Sequence, residues 1–255
     1  MNIFEAVDKL IKLNNEFQAH GIDLSKVLAK ADIAISKKLP QPYVFENEDE
    51  FNNALKKSVP FVNKYFLNRH NSIQEAVFDS LGGNTFRAFH FKTFKAKTTP
   101  SKLYRDITIS IFESNIDQFT NLQTVEDYEN FVIDKSKIIE KEFDSAVNKD
   151  GFMGFGRAAK LFNLTCKSII RLSDIPNDQQ CRLIFLAQVP WDSFTIQGIR
   201  LLRPPFSIKK NESMKWEKMN SVDDYKVMQN WIREKCQRIN LYPIHYEFAA
   251  WNMAH

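Results

Sequence analysis

The chain has 255 residues, 44% hydrophobic and 26% charged, with a net charge of +4 and a pI near 8.8. That supports one large domain, or two small subdomains around a shared cleft, with a real core. No run of about 18 apolar residues exists for a membrane span, and the Met1-Asn2-Ile3-Phe4-Glu5 start lacks the basic and apolar regions of a signal peptide.

In chain order, Ile3, Phe4, Val7, Leu10, Ile11 and Phe17 follow the helical period and predict a helix over 3–17. A short helix over 24–36 is expected next, ended by Pro40-Gln41-Pro42, since proline removes a donor and restricts its predecessor. Asn47 can cap a helix running through Phe51 and Leu55. Ser72 to Leu81 reads as another helix, stopped by Gly82-Gly83. The stretch 85–111 is ambiguous. Phe89, Phe91, Ile107, Ile109 and Ile111 alternate, which allows a minor β element, while Phe86, Phe89 and Phe94 also suit a helix.

From Glu126 to Val147 the helical pattern is clear: Phe131, Val132, Ile138, Ile139, Phe143, Ala146 and Val147 share a face. Only seven glycines occur in the chain, and Gly151, Gly154 and Gly156 fall within six positions. A second helix follows, with Ala158, Leu161, Phe162, Thr165 and Leu172 on one side. The pattern predicts helices over about 126–148 and 157–172 joined by a glycine hairpin. Mainly α is therefore the expected fold class. The whole of 1–255 is read as one globular unit with an N-terminal helical part (1–125), a hairpin segment (126–200) and a C-terminal helical part (201–255).

Between Gly151 and Ser173 stand Arg157, Lys160, Lys167 and Arg171 and no acid, a local excess that suits a phosphate-facing surface, though a solvated helix face would look the same. A Gly-Phe-Gly turn opening a helix also presents backbone N–H groups to an anion. Lys160, Asn163, Lys167 and Arg171 form a polar stripe opposite the apolar face. Downstream comes Val189-Pro190-Trp191-Asp192-Ser193-Phe194, in which proline fixes an extended entry and Asp192 can start a helix.

Cys166, Cys181 and Cys236 lack metal-ligand spacing and sit in apolar contexts, as buried reduced thiols of a cytoplasmic protein would. His20, His70, His90, His245 and His255 show no zinc spacing either, so no metal and no cofactor are expected. No Walker or Rossmann glycine pattern is present.

Gly154-Phe155-Gly156-Arg157-Ala158-Ala159-Lys160 resembles the hairpin of helix-hairpin-helix DNA glycosylases, where a lysine follows the glycine turn. Val189-Pro190-Trp191-Asp192 resembles their Val-Pro-x-Asp segment, whose aspartate is catalytic. The lysine and aspartate stand 32 positions apart (160 to 192), a longer separation that is similar to the archaeal 8-oxoguanine glycosylase branch. The resemblance covers about 126–200. It implies two helical subdomains around a DNA cleft and excision of a flipped base, with Asp192 stabilising charge on the sugar and activating the nucleophile, and Lys160 attacking C1′ as a neutral amine. The latter requires a depressed lysine pKa. It assigns Gly154, Gly156, Arg157, Lys167 and Arg171 to DNA binding and Asn163, Trp191 and Phe194 to the base pocket. The expected partner is double-stranded DNA carrying a modified base, met by a nucleoid-associated monomer with no membrane contact.

Two substrates stay open. One is a bulky phage cytosine, the glucosylated hydroxymethylcytosine that some phage-defence glycosylases remove. The other is 8-oxoguanine, with lyase activity in base-excision repair. Phe-, Asn- and Lys-rich composition favours the first, being mesophilic in character. Two other functional classes share features with the sequence. Arg238 to His245 loosely resembles the Arg-x6-His of HEPN-type ribonucleases, but Pro243 would break the helix that such a site needs. A non-catalytic DNA-binding module could use the same hairpin. Among Trp191, Trp216, Trp231 and Trp251, the best base-stacking candidates are Trp191, with Phe194 beside it, because they flank Asp192.

Overall fold

Side-chain caps mark where the helices begin. Asn47 accepts from the Glu50 amide at 2.9 Å and opens α1 (Glu48–Leu67), whose first turn carries Glu48, Asp49 and Glu50 against the positive helix end. Ser72 does the same for α2 (Ile73–Asp79), accepting from Glu75 at 3.1 Å. Thr99 and Pro100 open α3 (Pro100–Thr120), with proline where no helical N–H is needed. Then follow α4 (Val125–Ala146), α5 (Phe155–Ile169), α6 (Asn177–Leu186), α7 (Ser193–Gly198), α8 (Val222–Gln237) and α9 (Pro243–Ala254).

The computed structural model describes Glu16 and residues 42–81, 98–146, 153–208 and 221–254. The helices expected over 3–17 and 24–36, the Gly82-Gly83 stop, residues 85–97 and Gly151 lie outside the described residues. The residues from Pro42 onward belong to one compact unit. Among the described residues all regular elements are helices, and β pairing is confined to one isolated bridge, His70 to Leu172. The mainly α expectation holds. No described helix is long and apolar enough to cross a membrane.

The β alternative fails for 100–111, which is helical. Tyr104, Thr108, Ile111, Phe112 and Phe119 are its buried positions, spaced by three, four and seven rather than by two. The alternating isoleucines misled because Ile107 and Ile109 are only half-buried while Thr108 between them is wholly buried. Thr108 Oγ1 donates to the Tyr104 carbonyl at 2.6 Å, which lets a hydroxyl sit in the core.

Helices α4 and α5 match the two expected around the glycines, with α5 starting two residues early. Gly154 stands at the cap position of α5: its φ of 70° and ψ of 146° are open to glycine and strained for any side chain. The Met153 amide donates to Asp144 Oδ1 at 2.9 Å, returning the chain to the end of α4.

Helix α5 runs through the core. Phe162 stacks on Phe112 at 5.4 Å and packs on Phe131 at 5.9 Å, and Ala158, Ala159, Leu161, Cys166 and Ile169 are buried as well. A helix apolar on so many sides belongs inside. The few polar groups it carries must therefore find partners there.

Candidate active site

Asp192 is delivered by an extended segment clamped from α8. At the end of α6, Arg233 donates to the carbonyls of Phe185 and Leu186, both at 2.8 Å, and of Ala187 at 3.3 Å. One turn earlier on α8, the Gln229 amide brackets Val189, accepting from its N–H at 3.1 Å and donating to its carbonyl at 2.8 Å. Tyr225 donates to Gln188 Oε1 at 2.6 Å and accepts from Asn163 Nδ2 at 2.7 Å. This segment has no helix or sheet partner of its own, so side chains satisfy its backbone.

Asp192 then caps α7. Its Oδ1 accepts from the amides of Phe194 at 2.9 Å and Thr195 at 3.0 Å, and Thr195 Oγ1 accepts from the Asp192 amide at 2.7 Å, a complete capping box. The cap occupies one carboxylate oxygen. The other, Oδ2, lies 3.5 Å from Lys160 Nζ, and the two side chains are 4% and 16% exposed. Lys160 comes from the second turn of α5, because the helix starts at Phe155. Two residues singled out from separate segments thus meet in a largely buried pair.

Helix α9 closes the back of the site. Tyr246 donates to the Thr195 carbonyl on α7, and a Cβ added at Gly198 would lie 2.7 Å from the Tyr246 hydroxyl, so this approach needs glycine. Phe194 stacks on Trp251 at 4.6 Å with 23° between the rings, both half-buried. Phe194 is two residues after Asp192 and donates its amide to the Asp192 carboxylate.

Several expected site residues turn inward instead. Lys167 is largely buried, its side chain 14% exposed, ion-paired with Glu247 on α9, and placed 5.2 Å from the rings of both Tyr65 and Phe248. Burial works to lower its pKa, and the Glu247 carboxylate more than offsets this, leaving it raised. Arg171 is 2% exposed. It donates to the Asn68 carbonyl and to Asp79, both at 2.6 Å, and lies 4.3 Å above the Tyr65 ring. Neither is placed to meet DNA phosphate. The stripe that holds them is polar in sequence, but it faces α1, α2 and α9 rather than solvent.

Asn163 and Trp191 leave the expected base pocket for the same reason. Asn163 is 2% exposed and braces Tyr225 beneath the extended segment. Trp191 is 2% exposed and packs 6.2 Å from Tyr246. Of the expected pocket group, Phe194 keeps a face near the Lys160–Asp192 pair.

The amino end of α5 is not a simple anion cradle. The Phe155 amide is hydrogen-bonded to Glu140 on α4, whose carboxyl is pushed above its ordinary value by burial and by neighbouring Asp144, against that hydrogen bond. Two carboxylates thus face the end that the glycine turn offers to phosphate. Gly154 and Gly156 are buried there, while Arg157 is half-exposed.

Glu247 was not anticipated. It is 3% exposed, on the face of α9 towards α5. Its signal in the sequence is that Pro243–Ala254 contains no other acid and is otherwise almost apolar. The Arg238 to His245 spacing does not make a helical site. Helix α8 ends at Gln237, α9 starts at Pro243, and His245 is buried against the Tyr242 backbone. Among the described residues no group of three or more His, Cys, Asp or Glu could hold a metal ion.

Comparison with protein-family models, with curated proteins and with solved structures returns no match.

Proposed function

We propose that this chain is a DNA glycosylase of the helix-hairpin-helix type that excises a modified base, with Lys160 as nucleophile and Asp192 as its charge partner. The observation that carries the reading is the 3.5 Å approach of Lys160 Nζ and Asp192 Oδ2, drawn from α5 and from the Val-Pro-x-Asp segment in the order the resemblance requires. Burial supports it, since charge at the sugar is best stabilised by a fixed carboxylate in a water-poor setting. The cap supports it as well, because Asp192 is held by three hydrogen bonds and needs no reorganisation.

The chemistry runs as follows. The nucleotide is extruded from the duplex. The bond from C1′ to the base breaks with its electron pair leaving on the base, and the Asp192 carboxylate stabilises the positive charge left on the sugar. The uncharged Lys160 amine adds to C1′, and opening of the sugar ring gives a Schiff base that borohydride reduces to a stable adduct. The Phe194–Trp251 pair beside Asp192 offers an aromatic edge to the extruded base.

Phosphate contact from the hairpin rests on Arg157 in this reading, since Lys167 and Arg171 serve the core. The test is incubation with duplexes carrying glucosylated hydroxymethylcytosine, 8-oxoguanine or other modified bases. Released bases are identified by mass, with borohydride present in a parallel reaction. Release from one duplex, together with a trapped band that Lys160→Ala removes, is expected. Absence of release from every modified duplex overturns the reading.

A further inference from the structure

One side chain touches both segments that carry the Lys160–Asp192 pair. Tyr225 belongs to α8 and is buried. On the α5 side its ring packs edge-on against Phe155 at 5.5 Å, and its hydroxyl accepts from Asn163 Nδ2 at 2.7 Å. Lys160 lies between those two positions of the helix. The same Asn163 amide donates to the carbonyl of Ala159, the residue before Lys160, at 2.8 Å. On the other side the Tyr225 hydroxyl donates to Gln188 Oε1 at 2.6 Å, in the extended run that leads to Asp192.

There is little slack between Gln188 and Asp192. Gln188 is buried, and its amide nitrogen also donates to Glu129 on α4 at 3.5 Å. The next residue, Val189, is bracketed by Gln229, one turn along α8 from Tyr225. Pro190 follows with its fixed φ. Asp192 then commits Oδ1 to the α7 cap, and Oδ2 faces Lys160. A shift of Gln188 is therefore passed on to the carboxylate rather than absorbed on the way. A buried hydroxyl that both donates and accepts fixes direction as well as distance, which an apolar contact does not.

We infer that Tyr225 is a positioning residue for the Lys160–Asp192 pair: through the Asn163–Tyr225–Gln188 hydrogen bonds it sets the spacing between the helix that carries the lysine and the segment that carries the aspartate. The pair stands at 3.5 Å, where a small displacement decides whether contact is kept. Tyr225 acts through Asn163 and Gln188 rather than on either member of the pair. The inference rests on the glycosylase reading for its purpose, but its mark is visible without DNA.

The experiment removes one hydroxyl at a time from the full chain. Tyr225→Phe deletes the link and keeps the ring against Phe155. Tyr104→Phe is the matched deletion: Tyr104 of α3 is also buried, and its hydroxyl also meets α5, at Thr165 Oγ1, 2.8 Å away. The first measurement uses no DNA. It is the coupling between Lys160→Met and Asp192→Asn, taken from urea melts of the two singles and the double in the wild-type, Tyr225→Phe and Tyr104→Phe backgrounds. The second is the single-turnover rate of the borohydride-trapped adduct on a duplex with a preformed abasic site, followed against duplex concentration.

The coupling is expected to fall in the Tyr225→Phe background and to keep its wild-type value in the Tyr104→Phe background. Trapping should slow by about 10–10²-fold in Tyr225→Phe, the scale of loss when reacting groups are misplaced, with the duplex concentration for half-maximal rate unchanged. Tyr104→Phe should trap as the wild type does. A pair without coupling in the wild type, a coupling unchanged by Tyr225→Phe, or one lowered equally by Tyr104→Phe overturns the inference. So does an adduct that forms at the wild-type rate in Tyr225→Phe. If Tyr225→Phe does not melt cooperatively, Asn163→Leu cuts the link from the α5 side and is read in the same way. A lowered coupling with no trapped adduct from any of the proteins retains the positioning role and removes the glycosylase reading.

Discussion

Two lysines seven residues apart on α5 meet their carboxylates in different ways. Lys167 and Glu247 are in tight contact, with the lysine also lodged against Tyr65 and Phe248. Lys160 and Asp192 stand 3.5 Å apart, and the Asp192 carboxylate gives its other oxygen to a helix cap. The first pair is anchored on all sides. The second has one partner fixed in a cap and a lysine of much the same exposure, 16% against 14% for Lys167, but at a longer separation. The difference teaches that net charge in a segment says little about its task. The same basic run supplies a buried anchor at one end and a reactive candidate at the other.

The largest effect that could break this comparison comes from the Lys160 pair. Asp192→Asn is expected to lower base release by about 10²–10³-fold, the usual loss when a preorganised charge is removed. DNA affinity should change little, measured by fluorescence anisotropy. Lys160→Ala should remove the borohydride-trapped band from protein that still melts cooperatively, at a lowered temperature because Asp192 is left buried without its lysine. A trapped band that survives Lys160→Ala but not Lys167→Met would invert the assignment of the two lysines.

The Lys167 pair should answer in stability instead. Lys167→Met leaves the Glu247 carboxylate buried and unpaired, and breaking a buried pair from one side costs about 3–5 kcal/mol. The double variant Lys167→Met, Glu247→Gln should regain much of that, because no isolated charge remains. Urea melts of the two singles and the double give the coupling directly. Additive losses would show that the contact is not an anchor.

Salt dependence sharpens the comparison further. With Lys167 and Arg171 inside the fold, Arg157 is the expected phosphate contact from this stretch. Arg157→Ala should therefore reduce the slope of log affinity against log salt by about 1. A drop of that size in Lys167→Met, measured on protein shown to be folded, would place Lys167 on the DNA surface after all.

How much of this was legible in the sequence depends on whether the signal was local. The caps at Asn47 and Ser72, the break at Gly154 and the start of α7 at Asp192 are local, and each falls where the residues indicate. The Lys160–Asp192 meeting was legible because a resemblance joined two distant segments. Burial of Lys167, Arg171, Asn163 and Trp191 was not, since each is decided by partners far away in the chain: Glu247, Asp79, Tyr225 and Tyr246. Helix α3 was hidden by Ile107, Ile109 and Ile111, where β-branched alternation outweighed the spacing of Tyr104, Thr108 and Phe112. The acids opposing the amino end of α5 come from α4, so a count limited to 151–173 could not include them.

The smallest expected effect concerns α9, which sets two titratable groups side by side with opposite tendencies. Glu247 binds its proton more tightly in the folded chain than an ordinary carboxylate does, chiefly because it is buried. His245, two residues earlier, binds its proton less tightly, again chiefly from burial and despite a hydrogen bond to the Tyr242 backbone. The sign for His245 follows from linkage. Its pKa in the folded chain lies below the ordinary 6.5, so between those two values the unfolded chain carries the extra proton. Stability from keeping His245 neutral is therefore complete above pH 6.5 and is lost as pH falls below it towards the folded value. His245→Gln removes the titration, so the variant's melting temperature should decline less than the wild type's from neutral pH down through this range. Comparison with His245→Gln isolates the imidazole, since any titration of Glu247 is common to both proteins. Parallel melting curves for wild type and His245→Gln across that range would show that the imidazole is hydrated in the folded protein. The face of α9 that also carries Glu247 would then be wetter than the packing around Tyr246 implies.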